Sequence, residues 1–280
     1  MFKVGQFNNL QIIKEVDFGY YLDSDDDHWG EILLPFNSAP KGCAVHDWLD
    51  VFIYFDSEDR IIATTERPHA VIGEFNLLRV ASVEKVGAFL DWGLRKDLLV
   101  PFGEQKVRLE AGRSYIVWVY QDEASGRIVA STRLEKFIDE DDPGEYEVGE
   151  AVELLITRET DLGYKAIINN SDWGFLYHNE VFKKLRVGKK LRGYIQKLRA
   201  DGKIDLSLTM AGYEKVGGMA EIILDMLKKK GGFLAITAKT PPDRIYEIFG
   251  VSKKNYKKSI GALYKKRLVT IDEDGIRLVE

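Results

Sequence analysis

The sequence predicts a multi-domain, mainly β chain: three tandem five-stranded units followed by one mixed α/β domain. Three observations predict it. One strand plan recurs three times, marked by Gly19, Gly87 and Gly163, which lie 68 and 76 residues apart. The runs within each copy are short, β-branched or aromatic, and bounded by Gly, Asp and Ser. From about Ala211 the apolar residues change to helical spacing.

In the first unit, DFGYYLD at Asp17–Asp23 leads to EILLPF at Glu31–Phe36, an apolar strand at Trp48–Phe55, and a turn with a last strand, DSEDRIIAT, at Asp56–Thr64. The second unit repeats this as KVGAFLD at Lys85–Asp91, DLLVPF at Asp97–Phe102, Ser114–Tyr120 and SGRIVAST at Ser125–Thr132. The third has DLGYKAI at Asp161–Ile167, GFLYHN at Gly174–Asn179, Lys190–Gln196 and DGKIDLSL at Asp201–Leu208. The Asp-Gly pair there is a hairpin signal, and Lys203–Leu208 alternates with period two. Five strands in this length is the size of an OB-fold, a Greek-key barrel that closes its own sheet and so buries a core in a small unit. The units are assigned to residues 1–65, 66–134 and 149–210. Between the last two, Glu135–Glu150 holds eight acids and one Lys around Pro143 and Gly144. Such a run cannot bury a core, and residues 135–148 are expected to be an acidic linker.

Residues 211–280 follow a different plan. Met219–Leu227 has helical spacing and ends in Lys228–Lys230 and Gly231-Gly232. Phe233–Ile236 reads as a strand, and Pro241-Pro242 open a second helix through Phe249. Ser252 caps a third helix through Arg267, and DEDG joins two terminal strands. Helix, strand, helix, helix, hairpin is the layout of a winged helix. The third helix carries seven basic residues and no acid. Lys253, Lys254, Asn255, Lys257 and Lys258 crowd its first half, where a recognition helix meets nucleic acid. Tyr256, Ile260, Leu263 and Tyr264 are expected to pack inward.

Charge divides the chain. The whole carries −5, but residues 1–150 hold 15 basic against 29 acidic side chains, and residues 151–280 hold 25 against 16. The basic half points to a polyanion partner. One cysteine excludes a disulfide scaffold, and the start, MFKVGQFNNL, lacks a signal peptide's basic and apolar regions. No run is long enough to span a membrane. The expected protein is cytoplasmic.

The order of V-x-x-(F)-G-A-F-L, an apolar strand, a long loop and then G-R-I-x-x-S resembles the S-one-type RNA-binding domain. The match is best at KVGAFLD with GRIVAST, and runs through VGKKLRGYIQKLRADGKIDLSL in the third unit. The resemblance implies an RNA face of two rings around the strand-two glycine, with charged residues at the last hairpin. In the first unit these positions are Phe18 and Tyr21, with Asp56 and Arg60. In the second, Val86 replaces the first ring and Phe89 keeps the second, with Asp122 and Arg127. In the third, Leu162 and Lys165 stand where rings are usual, Tyr164, Tyr177 and His178 lie nearby, and the hairpin carries Arg199 and Lys203. Exposed rings stack on any base, and cations hold phosphates. The other reading of these rings is barrel core, and core or barrel mouth is the expectation for Trp29, Trp48, Trp92, Trp118 and Trp173.

Three such barrels followed by a winged helix resemble, by domain order and length, the conserved virulence factor B family of bacterial RNA-binding proteins. The resemblance implies single-stranded RNA as partner, post-transcriptional gene regulation, no catalysis and no cofactor. The acidic first barrels could serve a ribosome or other protein partner. Two other readings stay open: a winged-helix DNA-binding transcription regulator, and a ribosome- or polymerase-associated adaptor. The four His lack ligand spacing, Cys43 has no partner, and neither a phosphate-binding loop nor a nucleophile elbow is present.

Overall fold

The computed structural model describes residues 2–139, 144–181, 184–209, 216–249 and 251–279. The first barrel consists of β1 (Phe7–Val16), β2 (Gly19–Asp23), β3 (Glu31–Pro35), β4 (Trp48–Phe55) and β5 (Ile61–Thr64). The second has β6 (Phe75–Glu84), β7 (Gly87–Asp91), β8 (Leu98–Pro101), β9 (Ser114–Gln121) and β10 (Ile128–Ser131). The third has β11 (Ala151–Thr160), β12 (Gly163–Ile168), β13 (Asp172–Tyr177), β14 (Lys190–Leu198) and β15 (Ile204–Ser207). All three sheets close on themselves, with the third strand parallel to the fifth and the other neighbours antiparallel.

Closure depends on the long first strand, which pairs with two neighbours. In each barrel its register with the second strand slips once, at Ile12/Lys14, Val80/Ser82 and Ile156/Arg158. A bulge at one place in each copy bends the strand so that it serves both edges. The repeat glycines have a second local cause. A Cβ built at Gly19, Gly87 or Gly163 would lie 2.4, 2.3 or 2.2 Å from the carbonyl oxygen of Leu34, Val100 or Leu176. The facing backbones touch there and leave room for hydrogen alone. Gly163→Ala should therefore destabilise the third barrel by about 1–3 kcal/mol, read as a lower melting temperature.

Inside each barrel the alternating residues form a core, such as Leu10, Ile12, Leu22, Ile32, Leu34, Val51 and Ile53 in the first. Strand β4 breaks the alternation, because Val51, Phe52, Ile53 and Tyr54 are all buried. Phe52 and Tyr54 lie on its outer face and join the second barrel's cluster. Their ring centroids are 5.7 and 6.4 Å from that of Trp92, both edge-on. Each of the first two barrels keeps its own core, the outer face of β4 belongs to the second one's apolar cluster, and residues 1–137 form one compact unit.

The second compact unit is Ile138–Glu280. Residues 140–143 of the expected acidic linker lie outside the described residues, and from Gly144 onward the chain contacts the third barrel. Gly144 N–H and Tyr146 O–H donate to the buried Asp172 carboxylate at 2.9 and 2.6 Å, and Tyr146 packs against the third barrel's core. Beyond that barrel come α1 (Val216–Lys229), β16 (Phe233–Leu234), α2 (Pro242–Phe249), α3 (Lys253–Lys265), β17 (Val269–Ile271) and β18 (Ile276–Leu278), with sheet order β16-β18-β17. Tyr256 anchors α3: it is fully buried, stacks on Phe249 and donates to the Ile236 carbonyl at 3.1 Å. Burial pushes its hydroxyl pKa up to about 12.

One packing expectation is corrected. Tyr264 is 56% exposed, because it stands about 80° around α3 from Tyr256 while Leu263 stays in line with it. Trp48 is 62% exposed at the start of β4, whereas Trp92 is buried.

Candidate nucleic-acid interface

The pairing of second and third strands fixes equivalent outward positions in the three barrels. Gly19, Gly87 and Gly163 face Pro35, Pro101 and Tyr177, while Tyr21, Phe89 and Lys165 face Leu33, Leu99 and Phe175. Going two residues back along the third strand gives Glu31, Asp97 and Trp173. The first two barrels therefore present an acid, a Leu and a Pro where the third presents Trp173, Phe175 and Tyr177. All three rings are half-buried on one face of β13, with Asp172, Gly174 and Leu176 turned inward. The ring expected on β12 is on the opposite strand, and Lys165 takes its place.

Basic groups surround this face. Lys165 Nζ sits 3.7 Å from the Trp173 ring centroid. Phe175 and Tyr177 meet edge-on at 4.8 Å. Arg199 donates to the Tyr177 hydroxyl and pairs with the nearly buried Asp205 at 2.8 Å, which fixes its guanidinium beside the ring. Lys203 is exposed and pairs with Asp201 at 2.9 Å. An open cleft of about 380 Å³ is lined by Arg158, Lys165, Trp173, Phe175 and Lys203, with Asp139, Asp172 and Asp201 also in its wall. Such a cleft can stack a base and hold the adjoining phosphates.

The last hairpin repeats the contrast. Asp56, Asp122 and Arg199 close the three hairpins by donating their N–H to the carbonyls of Arg60, Arg127 and Lys203, each at 2.9 Å. The position is acidic twice and basic once.

The other residues named from sequence fall into distinct settings. Phe18 is 58% exposed at the β1–β2 turn, and Tyr21 is half-buried with Lys14 Nζ 5.5 Å from its ring. Arg60 is held by Asp56 and Glu58 at 2.8 and 2.9 Å. Phe89 lines a cleft between the first two barrels, where Arg127 pairs with Asp59. Tyr164 departs from expectation: it is 4% exposed, lies edge-on to His178 and donates to Glu159 at 3.2 Å. Its ring belongs to the third core, because Tyr164 is the inward neighbour of outward Lys165. His178 is exposed, with Nε2 3.0 Å from the Thr160 carbonyl oxygen. On α3, Lys254, Lys257 and Lys258 are exposed, Lys253 and Asn255 are half-buried, and Asn255 N–H caps on Ser252 Oγ at 3.0 Å. Trp173, Phe175 and Arg158 were not identified as site residues from sequence, although the alternation Trp173, Phe175, Tyr177 carries the signal.

The CvfB-like winged helix domain model matches residues 221–278, and the S1 domain model matches residues 4–66 and 72–133. The chain is 29% identical over 269 residues to the protein YitL of Bacillus subtilis, covering 93% of this chain and 89% of that one. It is 25% identical over 288 residues to conserved virulence factor B of Staphylococcus epidermidis, covering 99% of this chain and 95% of that protein. A crystal structure of a multidomain protein with nucleic acid binding domains from Streptococcus pneumoniae is 24% identical, covers 99% of this chain and 98% of its own, and has a TM-score of 0.42. No described helix is long and apolar enough to cross a membrane.

Proposed function

Because this chain belongs to the conserved virulence factor B family, with S1 domains ahead of a CvfB-like winged helix, we propose that it binds single-stranded RNA and acts in post-transcriptional regulation of bacterial gene expression. The observation that carries this reading is the outer face of β13. Trp173, Phe175 and Tyr177 stand in line there, with Lys165, Arg199 and Lys203 beside them, where the other barrels have acid, Leu and Pro. A duplex keeps its bases stacked and gives such rings nothing to hold, whereas a single strand offers free base faces. His178 and the α3 residues Lys253, Lys254, Asn255, Lys257 and Lys258 are assigned to RNA binding as well. The role assigned is binding, without a catalytic step.

Competition between labelled single-stranded RNA and duplex DNA of equal length, at fixed salt, tests the reading. The single strand should win. A duplex that competes equally well would instead favour the DNA-binding reading of the winged helix.

The α3 lysines should act differently from the rings. Changing Lys253, Lys254, Lys257 and Lys258 together to Ala should weaken binding to every sequence alike. It should also flatten the plot of log affinity against log salt by about 0.7 for each phosphate no longer neutralised. Unchanged affinity at all salt concentrations would remove α3 from the RNA surface and favour a protein-adaptor role for the winged helix.

A further inference from the structure

The last hairpin of the first barrel reaches the equivalent face of the second. There Phe89 is half-buried, and an open cleft of about 230 Å³ lies between Phe89, Trp92 and Tyr54, with Lys96, Asp97 and Arg127 in its wall. Both cations converge on one carboxylate. Lys96 Nζ is 3.1 Å from Asp59 Oδ1 and donates to the Asp56 carbonyl at 2.6 Å, while the Arg127 guanidinium pairs with Asp59 Oδ2. Arg60 and Arg199 find their acids within their own barrels, but Lys96 and Arg127 find theirs on the neighbouring one.

A ring beside two cations that share one anionic group is the arrangement a base and its phosphate require. We propose that Asp59 stands in for a phosphate, and that the chain's own carboxylate thereby competes with a single strand for Lys96 and Arg127 on the face of the second barrel that the S-one-type resemblance already marks through Phe89 and Arg127. Only the ligand class rests on the RNA-binding reading; the competing carboxylate rests on the geometry. The hydrogen bond from Lys96, together with the Arg127 charge, holds the Asp59 carboxyl below the usual carboxylate range, so it is charged at neutral pH. The pairs are nevertheless solvent-screened, with side chains 34% to 57% exposed, and such pairs are weak. One carboxylate can therefore be displaced by a strand that brings several phosphates. Asp59 sits at the hairpin tip with φ +59°, a left-handed backbone that few residue types adopt.

The test is the full-length chain carrying Asp59→Gly, titrated with a long oligouridylate over a range of salt. Gly takes a left-handed backbone without cost, so the change removes the carboxylate and keeps the turn. Affinity should rise about two- to fivefold, and the salt plot should steepen by about 0.7 for each phosphate newly held. The gain should vanish in the Asp59→Gly/Arg127→Ala chain. Parental affinity and slope in Asp59→Gly, or a gain that survives loss of Arg127, would overturn the proposal. If Asp59→Gly lowers the melting temperature, Asp59→Asn decides, since it removes the charge and retains the side chain's size. Phe175→Ala in the same assay reports on the third barrel alone. A loss there without a gain at Asp59 defeats this inference and leaves the third-barrel reading standing; the reverse result defeats the third-barrel reading and leaves this one.

Discussion

Replacing Trp173 and Phe175 together with Ala should cost about 2–6 kcal/mol of single-stranded RNA affinity, taking about 1–3 kcal/mol for each base that loses its ring. The salt slope should stay near the parental value, because the phosphate-binding cations remain. Both side chains are half-buried on the outer face of β13, so the fold should persist, and a melting curve checks this. Tyr164→Ala is the contrasting variant. Its ring lies in the barrel core, and removing it should cost about 3–5 kcal/mol of stability. Equilibrium binding at several salt concentrations, with thermal denaturation of both variants, separates the two effects. A double variant that binds RNA like the parent would show that the β13 rings are not the stacking surface.

The second large effect concerns the apolar joint between the first two barrels. Phe52 is fully buried on the outside of its own barrel, against Trp92 of the next. Phe52→Ala should cost about 3–5 kcal/mol, since the cavity opens between two closed sheets that cannot easily collapse on it. It should also divide the melting of this unit into two transitions, because the ring that couples the barrels is gone. Trp48→Ala, on the same strand but 62% exposed, should change stability by less than about 0.5 kcal/mol. Calorimetry on the parent and the two variants compares them directly, and a single unshifted transition for Phe52→Ala would refute the coupling.

The repeat, its strands and the winged-helix layout were legible because each rests on local chemistry: glycines where backbones touch, turn residues at hairpins, a Ser cap on α3. The ring face was legible only in part. Carrying a strand-two pattern onto the third barrel leads to Leu162 and Lys165, and then to the neighbouring Tyr164, which alternation turns inward. The rings have crossed to the paired strand, a relation that exists only once Lys165 is set against Phe175. The fusion of the first two barrels also left a sign in the sequence. Val51-Phe52-Ile53-Tyr54 is continuously apolar, and a barrel strand buries one face by itself, so something must cover the other. Which element covers it depends on long-range packing that no local pattern records. Strand β9 shows the same sign with a different answer, since Phe137 stacks on its Trp118 and meets its Tyr120.

That outer face of β4 has a consequence for synthesis on the ribosome. The first barrel's last strand ends at Thr64, but the residue that covers Phe52 and Tyr54 is Trp92. At about 5–20 residues per second, a finished barrel would leave these rings without Trp92 for some seconds, with Phe7 of its own barrel against Phe52. The nascent chain has to fold the two barrels as a pair or be shielded in the interval, and release of a fragment ending near Thr64 would leave a sticky product. The boundary between the first two repeats is thus a poor place to cut the protein, although it is where the repeat itself would place the cut.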